Sequence, residues 1–449
     1  MRPALPEIGQ VAGVFGGTVG PRLMGMNGNL LKLSGVATLT ALAVLASATM
    51  SAASTTTGTM TTTGTMTSTT ASTGAAGWRG TVVSMPEDPV LSMDQVKEFL
   101  EPLGVYVPEA RHGVDAYQVV YRTVDVHGRA TTASALVALP RTDDRRLRPA
   151  VWLHGTQSYR HGAPSVGECC DRAAAVLFAS LGYAATAPDY LGLGAGPGTH
   201  PYFHAETAVS ASVDALRATR HFAARYGRTV AGPVAVAGFS QGANNSFLLA
   251  RALQRGADRN FTLGALAPIS GAYHLFDVEW PAAIGGDVDP KAATYYLAYL
   301  TVAWNRIYHL YRDESEVFVD PYAGHVATLF DGEHTIEESM AGLPAKPAEL
   351  LQPEYSDLLL HPTGQLRLAA RANDDACLGW KPAVPVRMYA AHGDPEAVYA
   401  NSERCRRELR GADVTLTDVG DVDHITSLVL SVPQVATWFA ELNQPRPAK

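Results

Sequence analysis

The residues best suited to chemistry in this sequence are Gly238-Phe239-Ser240-Gln241-Gly242, which form the pattern Gly-x-Ser-x-Gly. An apolar run, 233–237, precedes the pattern, and a helix-forming segment, 244–253, follows it. A serine between a strand and a helix lies at a sharp, strained turn that exposes its Oγ as a nucleophile. The N-terminus of the helix also points free N–H groups and the positive end of its dipole at the reacting oxygen. We therefore interpret Ser240 as the candidate nucleophile.

A serine hydroxyl needs a base, and the base needs a carboxylate that orients it. For a serine at such a turn, the expected chain order is serine, then acid, then histidine. His424 lies in a polar loop after a predicted strand and is the candidate base, with His392 as a competitor that directly precedes the acid loop. Asp394 follows the predicted strand 386–391 and is the candidate acid. Glu396 lies two residues later and remains the alternative acid.

Two backbone donors are also needed, because the reaction builds negative charge on the carbonyl oxygen of the substrate. One is expected from the N–H of Gln241, the residue after the nucleophile. The other is expected from the loop after the predicted strand 150–153, where Gly155 allows close approach and Thr156 is the candidate donor. Together, Gln241 and Thr156 form the predicted oxyanion hole.

All of these candidates lie just beyond the ends of predicted strands. Strands alternate with helices along the chain, at 150–153, 183–187, 233–237, 263–269, 385–390 and 414–417, after a hairpin of 117–126 with 131–139. This alternation predicts an α/β fold with a mostly parallel, doubly wound sheet. In such sheets the active site lies at the carboxyl ends of the strands, which is where the candidates fall.

The alternation stops between residues 272 and 372, a segment too long for a plain loop. Aromatic and aliphatic residues recur there at helical spacing, which predicts a mostly helical cap inserted over the site. The predicted core is thereby divided into residues 78–271 and 373–449. Most cap aromatics are expected to form the cap's own core, and others to line an apolar pocket.

Several blocks of the chain carry a family resemblance: His154-Gly155-Thr156, residues 187–194 with His200-Pro201-Tyr202, Gly238 to Gly242, Asp394-Pro395 and Asp423-His424. Together they resemble the secreted esterase and lipase branch of the α/β-hydrolase superfamily, which includes fungal and bacterial secretory lipases. The resemblance implies the α/β-hydrolase fold, hydrolysis of carboxylic esters without a cofactor, and Ser240, Asp394 and His424 as the catalytic triad. Many relatives have a longer acid loop, which keeps Glu396 open as the acid.

The N-terminal region reads as a targeting segment. Residues 1–53 contain a basic residue, a short apolar stretch and Ala46-Ser47-Ala48, the parts of a secretory signal peptide, and residues 54–77 form a Thr/Ser-rich linker. We expect a secreted protein, extracellular or periplasmic, with an uncleaved signal anchor as the alternative. Four cysteines fit an oxidising compartment, and the pairing of Cys169, Cys170, Cys377 and Cys405 stays open.

Composition and residue spacing exclude some classes of binding partner. A net charge of −8 lacks the basic surface that nucleic acid binding needs. His200 and His204 are four residues apart with Glu206 nearby, but Pro201 interrupts a helix there, so we predict no metal site. The expected partner is a small-molecule or lipid ester, with transient contact between the cap and a lipid interface. A peptidase, an acyltransferase or a non-catalytic surface binding protein on the same fold are the alternative functions.

Overall fold

The computed structural model describes residues 78–85, 90–167 and 170–444. The predicted signal segment, the linker and Cys169 lie outside these residues. The described strands are β1 (Val82–Ser84), β2 (Val90–Leu91), β3 (Val114–Val124), β4 (Ala130–Pro140), β5 (Arg146–Leu147), β6 (Pro149–Leu153), β7 (Ala184–Pro188), β8 (Thr229–Val230), β9 (Gly232–Phe239), β10 (Phe261–Ile269), β11 (Val386–Ala390) and β12 (Val414–Asp418). The described α-helices are α1 (Met93–Leu100), α2 (Cys170–Ser180), α3 (Ala205–Ala224), α4 (Gln241–Gln254), α5 (Trp280–Gly285), α6 (Pro290–Tyr308), α7 (Ile336–Ala341), α8 (Pro353–Leu360), α9 (Gly364–Asn373), α10 (Tyr399–Glu408) and α11 (His424–Asn443).

A ten-stranded sheet organises the chain in the order β1-β3-β4-β7-β6-β9-β10-β11-β12, with β2 paired to β3. The β3–β4 hairpin pairs residue for residue from Val114 with Pro140 to Val124 with Ala130, as the alternation of polar and apolar residues predicts. From β7 to β12 every neighbouring pair is parallel. Parallel neighbours require crossover connections, and the intervening helices supply them. The predicted mostly parallel, doubly wound sheet is confirmed.

Helices cover both faces of this sheet. On one face α3 and α4 bury Phe222 and Phe247 against the apolar side chains of β6, β9 and β10. On the other face α2 and α11 bury Phe178 and Phe439. Each such side chain contributes about 1.5–3 kcal/mol through burial. Helix α11 is apolar and long enough to cross a membrane, but half of its apolar window is buried, as in the core helix of a globular domain.

The segment between β10 and β11 forms the cap and contains α5 to α9. Its own core is aromatic, with Tyr295, Tyr299, Trp304 and Phe330 all buried. Tyr299 stacks on Phe330 at 4.7 Å between ring centroids and on Tyr202 of the sheet domain at 4.3 Å. These stacks join the cap to the loop before α3, so cap and sheet domain meet directly above the carboxyl ends of the strands.

A disulfide bond joins Cys377 to Cys405, which resolves the pairing of these two cysteines. Their Cα atoms lie 5.4 Å apart, one before β11 and one in α10. Cys170 is buried at the start of α2. The disulfide therefore closes the chain around β11, the strand that leads to the candidate acid.

Candidate active site

Ser240 lies at the turn between β9 and α4, at the carboxyl edge of the sheet. Its backbone has φ 55° and ψ −119°, a conformation that costs a residue other than glycine on the order of 1–3 kcal/mol. Its N–H donates to the carbonyl oxygen of Ile269 at 2.9 Å, which ties the turn to the end of β10. The strained strand-to-helix turn expected from the Gly-x-Ser-x-Gly pattern is therefore present.

The two glycines of the pattern stand where three backbone segments converge. A Cβ atom on Gly238 would lie 2.9 Å from the carbonyl oxygen of Leu153 and would also collide with Gly242. A Cβ atom on Gly242 would overlap the carbonyl groups of Leu153 and His154. Strand β9, helix α4 and the end of β6 can meet only because both positions lack side chains.

The structure brings Asp394 and His424 together at the same edge. Asp394 Oδ2 lies 2.7 Å from His424 Nδ1, and Asp394 Oδ1 accepts the N–H groups of Glu396 and Ala397 at 2.9 and 3.1 Å. Both side chains are buried. Glu396 points elsewhere, since its carboxylate accepts a hydrogen bond from the Tyr296 hydroxyl. His392 is exposed and contacts Asp418.

His424 also contacts the nucleophile turn. Its ring packs on Phe239, the residue before Ser240, with 4.5 Å between ring centroids. Burial favours the neutral imidazole, but the charge and hydrogen bond of Asp394, with a smaller contribution from Glu396, raise the pKa of His424 above 6.5. Among the described residues the Ser240 hydroxyl makes no hydrogen bond, and catalytic hydrogen bonds are often unformed in ligand-free sites.

The two predicted oxyanion donors lie beside Ser240. Gln241 opens α4 and Thr156 follows β6, and among the described residues neither N–H is donated to a backbone carbonyl. The Thr156 side chain hydrogen-bonds the hydroxyl of Tyr202 at 2.8 Å. Thr156 and Ser240 line the same cavity. Free N–H groups at this position can stabilise an oxyanion formed at Ser240.

No family model matches the chain, and no curated protein sequence matches it. Solved structures do match: a candidate hydrolase from Legionella pneumophila shares 24% identity over 82% of this chain and 100% of its own, with a TM-score of 0.72. The rice cell wall degrading esterase LipA from Xanthomonas oryzae shares 25% identity over 81% of this chain and 98% of its own, with a TM-score of 0.68.

Candida antarctica lipase A is more distant, at 13% identity over 82% of this chain and 84% of its own, with a TM-score of 0.57. All three structures share the sheet and helix arrangement described above. The chain has the α/β-hydrolase fold. The fold predicted from the resemblance is thereby confirmed, although the sequence identity to each of these proteins is low.

The cavity beside Ser240 is small. Its free volume is about 20 Å³, which is room for about one water molecule. The walls come from the sheet domain and from the cap, and include Phe203, Leu275, Trp280 and Tyr296. The expectation that some cap aromatics face the pocket is confirmed by Trp280 and Tyr296. A molecule much larger than water can occupy this cavity only if these walls move.

A second histidine, His200, hydrogen-bonds the side chain of Gln241, one of the two predicted oxyanion donors. Its Nδ1 donates to the carbonyl of Leu191 at 3.0 Å, so Nε2 must accept, and it does so from the Gln241 side chain at 2.9 Å. Burial lowers the pKa of His200 to about 3, which keeps the ring neutral. His204 instead caps α3, accepting the N–H of Thr207. Sequence reasoning considered both only as metal ligands and missed these roles.

Glu279 is the cavity residue that sequence reasoning missed entirely. It ends a π-helical turn, Leu275–Glu279, at the entrance to the cap and lines the cavity with Ser240. Its side chain is buried, and Asn401 of α10 donates to Oε2. Burial, followed by the charge of Asp394, raises the pKa of Glu279 to about 8. An acidic residue among apolar cap residues has no local sequence pattern that would reveal this.

Proposed function

We propose that this chain is a secreted serine hydrolase that cleaves carboxylic esters. Ser240 is the nucleophile, His424 the base and Asp394 the residue that orients the imidazole. The buried 2.7 Å hydrogen bond between Asp394 and His424, beside the strained turn of Ser240, is the observation that carries the proposal. The shared fold with an esterase and a lipase supports it.

The reaction proceeds in two balanced steps. Ser240 Oγ attacks the ester carbonyl carbon while His424 Nε2 takes its proton, and collapse of the tetrahedral intermediate expels the alcohol, which receives that proton. Water then attacks the acyl-enzyme while His424 takes one of its protons. Collapse of the second tetrahedral intermediate releases the carboxylic acid, and His424 returns that proton to Ser240 Oγ. The N–H groups of Gln241 and Thr156 bind the oxyanion in both steps.

Asp394 is suited to its role because its other oxygen is already occupied. Two backbone N–H groups hold Oδ1, so the carboxylate cannot turn away from His424. The hydrogen bond from Nδ1–H then leaves Nε2 as the lone-pair nitrogen that faces the serine turn. The same carboxylate stabilises the imidazolium that forms during each proton transfer.

Secretion is part of this proposal and rests on two supports. The Cys377–Cys405 disulfide fits an oxidising compartment. One protein of the same fold is named a rice cell wall degrading esterase, from Xanthomonas oryzae. Mass spectrometry of the mature N-terminus tests it: cleavage close after Ala46-Ser47-Ala48 is expected, and an intact N-terminus in the membrane fraction would contradict it.

Hydrolysis of p-nitrophenyl esters from acetate to palmitate tests the activity. Wild type is expected to turn over, Ser240→Ala to lose activity, and Ser210→Ala, a serine on α3 away from the cavity, to retain it. Labelling by a fluorophosphonate should place one adduct on Ser240. If wild type and Ser240→Ala were equally inert and unlabelled, ester hydrolysis would be abandoned, and peptide hydrolysis, acyl transfer and ligand binding would be tested.

A further inference from the structure

We propose that Glu279 selects the substrate by donating a hydrogen bond to an oxygen atom close to the ester, so that preferred esters carry an ether, hydroxyl or carbonyl oxygen there. This inference rests on the proposed function. The oxygen can belong to the acyl group or to the alcohol, because both parts of the ester lie beside Ser240 in the same cavity.

Two groups of the cap entrance contact the carboxyl group of Glu279. Oε2 accepts from the Asn401 side chain, and the N–H of Val398 also faces the carboxyl group. Oε1 is buried and has no hydrogen-bond partner among the described residues. Glu279 lines the cavity with Ser240. Oε1 is its unpaired oxygen and is therefore the atom available to a bound substrate.

The protonation state makes Oε1 a donor. The pKa of about 8 means that the carboxyl group is neutral at pH 7, and its proton resides on the oxygen that does not accept from Asn401. A buried donor without an acceptor is unfavourable, because it has lost its hydrogen bonds to water without replacement. A substrate oxygen would remove this cost, whereas a plain hydrocarbon chain would leave it.

A neighbouring donor points to the same ligand chemistry. Trp280, the next residue, also lines the cavity, and its Nε1–H is buried without a partner among the described residues. A purely structural role would explain the hydrogen bond between Asn401 and Oε2, because Asn401 also accepts the N–H groups of Tyr273 and His274 and so ties the chain together. It would not explain two unpaired donors beside the nucleophile.

The test compares esters that differ by one oxygen in place of a methylene. Ethyl methoxyacetate against ethyl butyrate probes the acyl side, and 2-methoxyethyl acetate against butyl acetate probes the alcohol side, with kcat/KM measured in a pH-stat. The ratio of ether to hydrocarbon ester is expected to fall about tenfold in Glu279→Leu for one pair, the cost of an unmade hydrogen bond. Glu279→Gln keeps an N–H donor at Oε1 and should retain the wild-type ratio.

Glu408→Gln is the matched control, because Glu408 contacts His274 near the same junction but does not line the cavity. If Glu279→Leu fails to fold, wild type supplies the same comparison by pH, since the donor is lost as pH rises through about 8. Asp394, His424, Tyr202 and Glu396 also face this region, and the ratio cancels their common effect on both esters.

The outcomes separate the two proposals. A ratio that falls in Glu279→Leu or above pH 8, but not in Glu279→Gln, supports selection by Glu279, and the affected pair identifies the side. If the ratio is the same for all variants and pH values while turnover is normal, selection by Glu279 is overturned and the proposed function stands. Absence of Ser240-dependent turnover on every ester would instead overturn the proposed function.

Discussion

Replacing Asp394 by asparagine tests the proposed mechanism most directly. Asparagine has the same shape, but it removes the negative charge and offers its amide to His424 Nδ1, which lies 2.7 Å away in a buried site. Breaking a buried charged pair costs about 3–5 kcal/mol. Since each 1.36 kcal/mol is a factor of ten in rate, kcat/KM should fall about 10²- to 10⁴-fold.

The pH dependence of kcat/KM tests the effect of Asp394→Asn on His424 independently. In wild type the pKa of His424 is raised above 6.5. The neutral base is therefore lost as pH falls through this raised pKa. Without the charge of Asp394, the burial that lowers the pKa is opposed mainly by the weaker contribution of Glu396. The acid limb of the profile should therefore move to lower pH in Asp394→Asn.

Glu396→Gln is the matched control for this experiment. Glutamine can still accept the Tyr296 hydrogen bond, and the lost charge is worth up to about 1 kcal/mol, so kcat/KM should change less than about fivefold. The acid limb should move less than in Asp394→Asn. The reasoning is refuted if Asp394→Asn keeps more than about a tenth of wild-type activity with an unmoved limb, or if Glu396→Gln is the more damaged variant.

Three further predictions concern the surroundings of the site. Gly242→Ala should abolish activity and lower the melting temperature, because its Cβ overlaps the end of β6, whereas Gly285→Ala has open space and should leave both unchanged. Cys377→Ala should reduce the free energy of unfolding by about 3–4 kcal/mol in a denaturant titration, given the separation of 28 residues, and equal stability would contradict this. His200→Phe should lower kcat about 5- to 100-fold by leaving the Gln241 amide unpaired, since about 1–3 kcal/mol is lost, without moving the pH profile between pH 5 and 8; an unchanged kcat would exclude the positioning role.

The parts of the site that sequence reasoning anticipated are those determined locally. The turn at Ser240 follows from a strand, two glycines and a helix that are contiguous in the chain. The positions of Asp394 and His424 follow from a topological rule, because residues after parallel strands gather at one edge of the sheet. Each of these inferences needs only the order of elements, and the structure places all three at that edge.

The directions in which the side chains of Asp394 and Glu396 point could not be predicted from the sequence in this way. Asp394 and Glu396 are two residues apart in one turn, and both follow β11. What separates them is that Asp394 Oδ1 is held by the N–H groups after it, while Tyr296 of the cap holds Glu396. That second contact joins residues 100 positions apart, so it depends on how the cap is folded onto the sheet.

Glu279 illustrates the same limit for specificity. Its chain neighbours are apolar cap residues, and an acidic residue there would ordinarily be assigned to a solvated helix face. Only the packing of the cap entrance against α10 buries it, places Asn401 on one oxygen and leaves the other beside Ser240. In this fold the positions of the proposed catalytic groups follow from strand order, whereas the groups proposed to recognise the substrate lie where the inserted cap meets the sheet. Substrate preference can therefore change through residues of the cap without any change in the residues proposed to carry out the reaction.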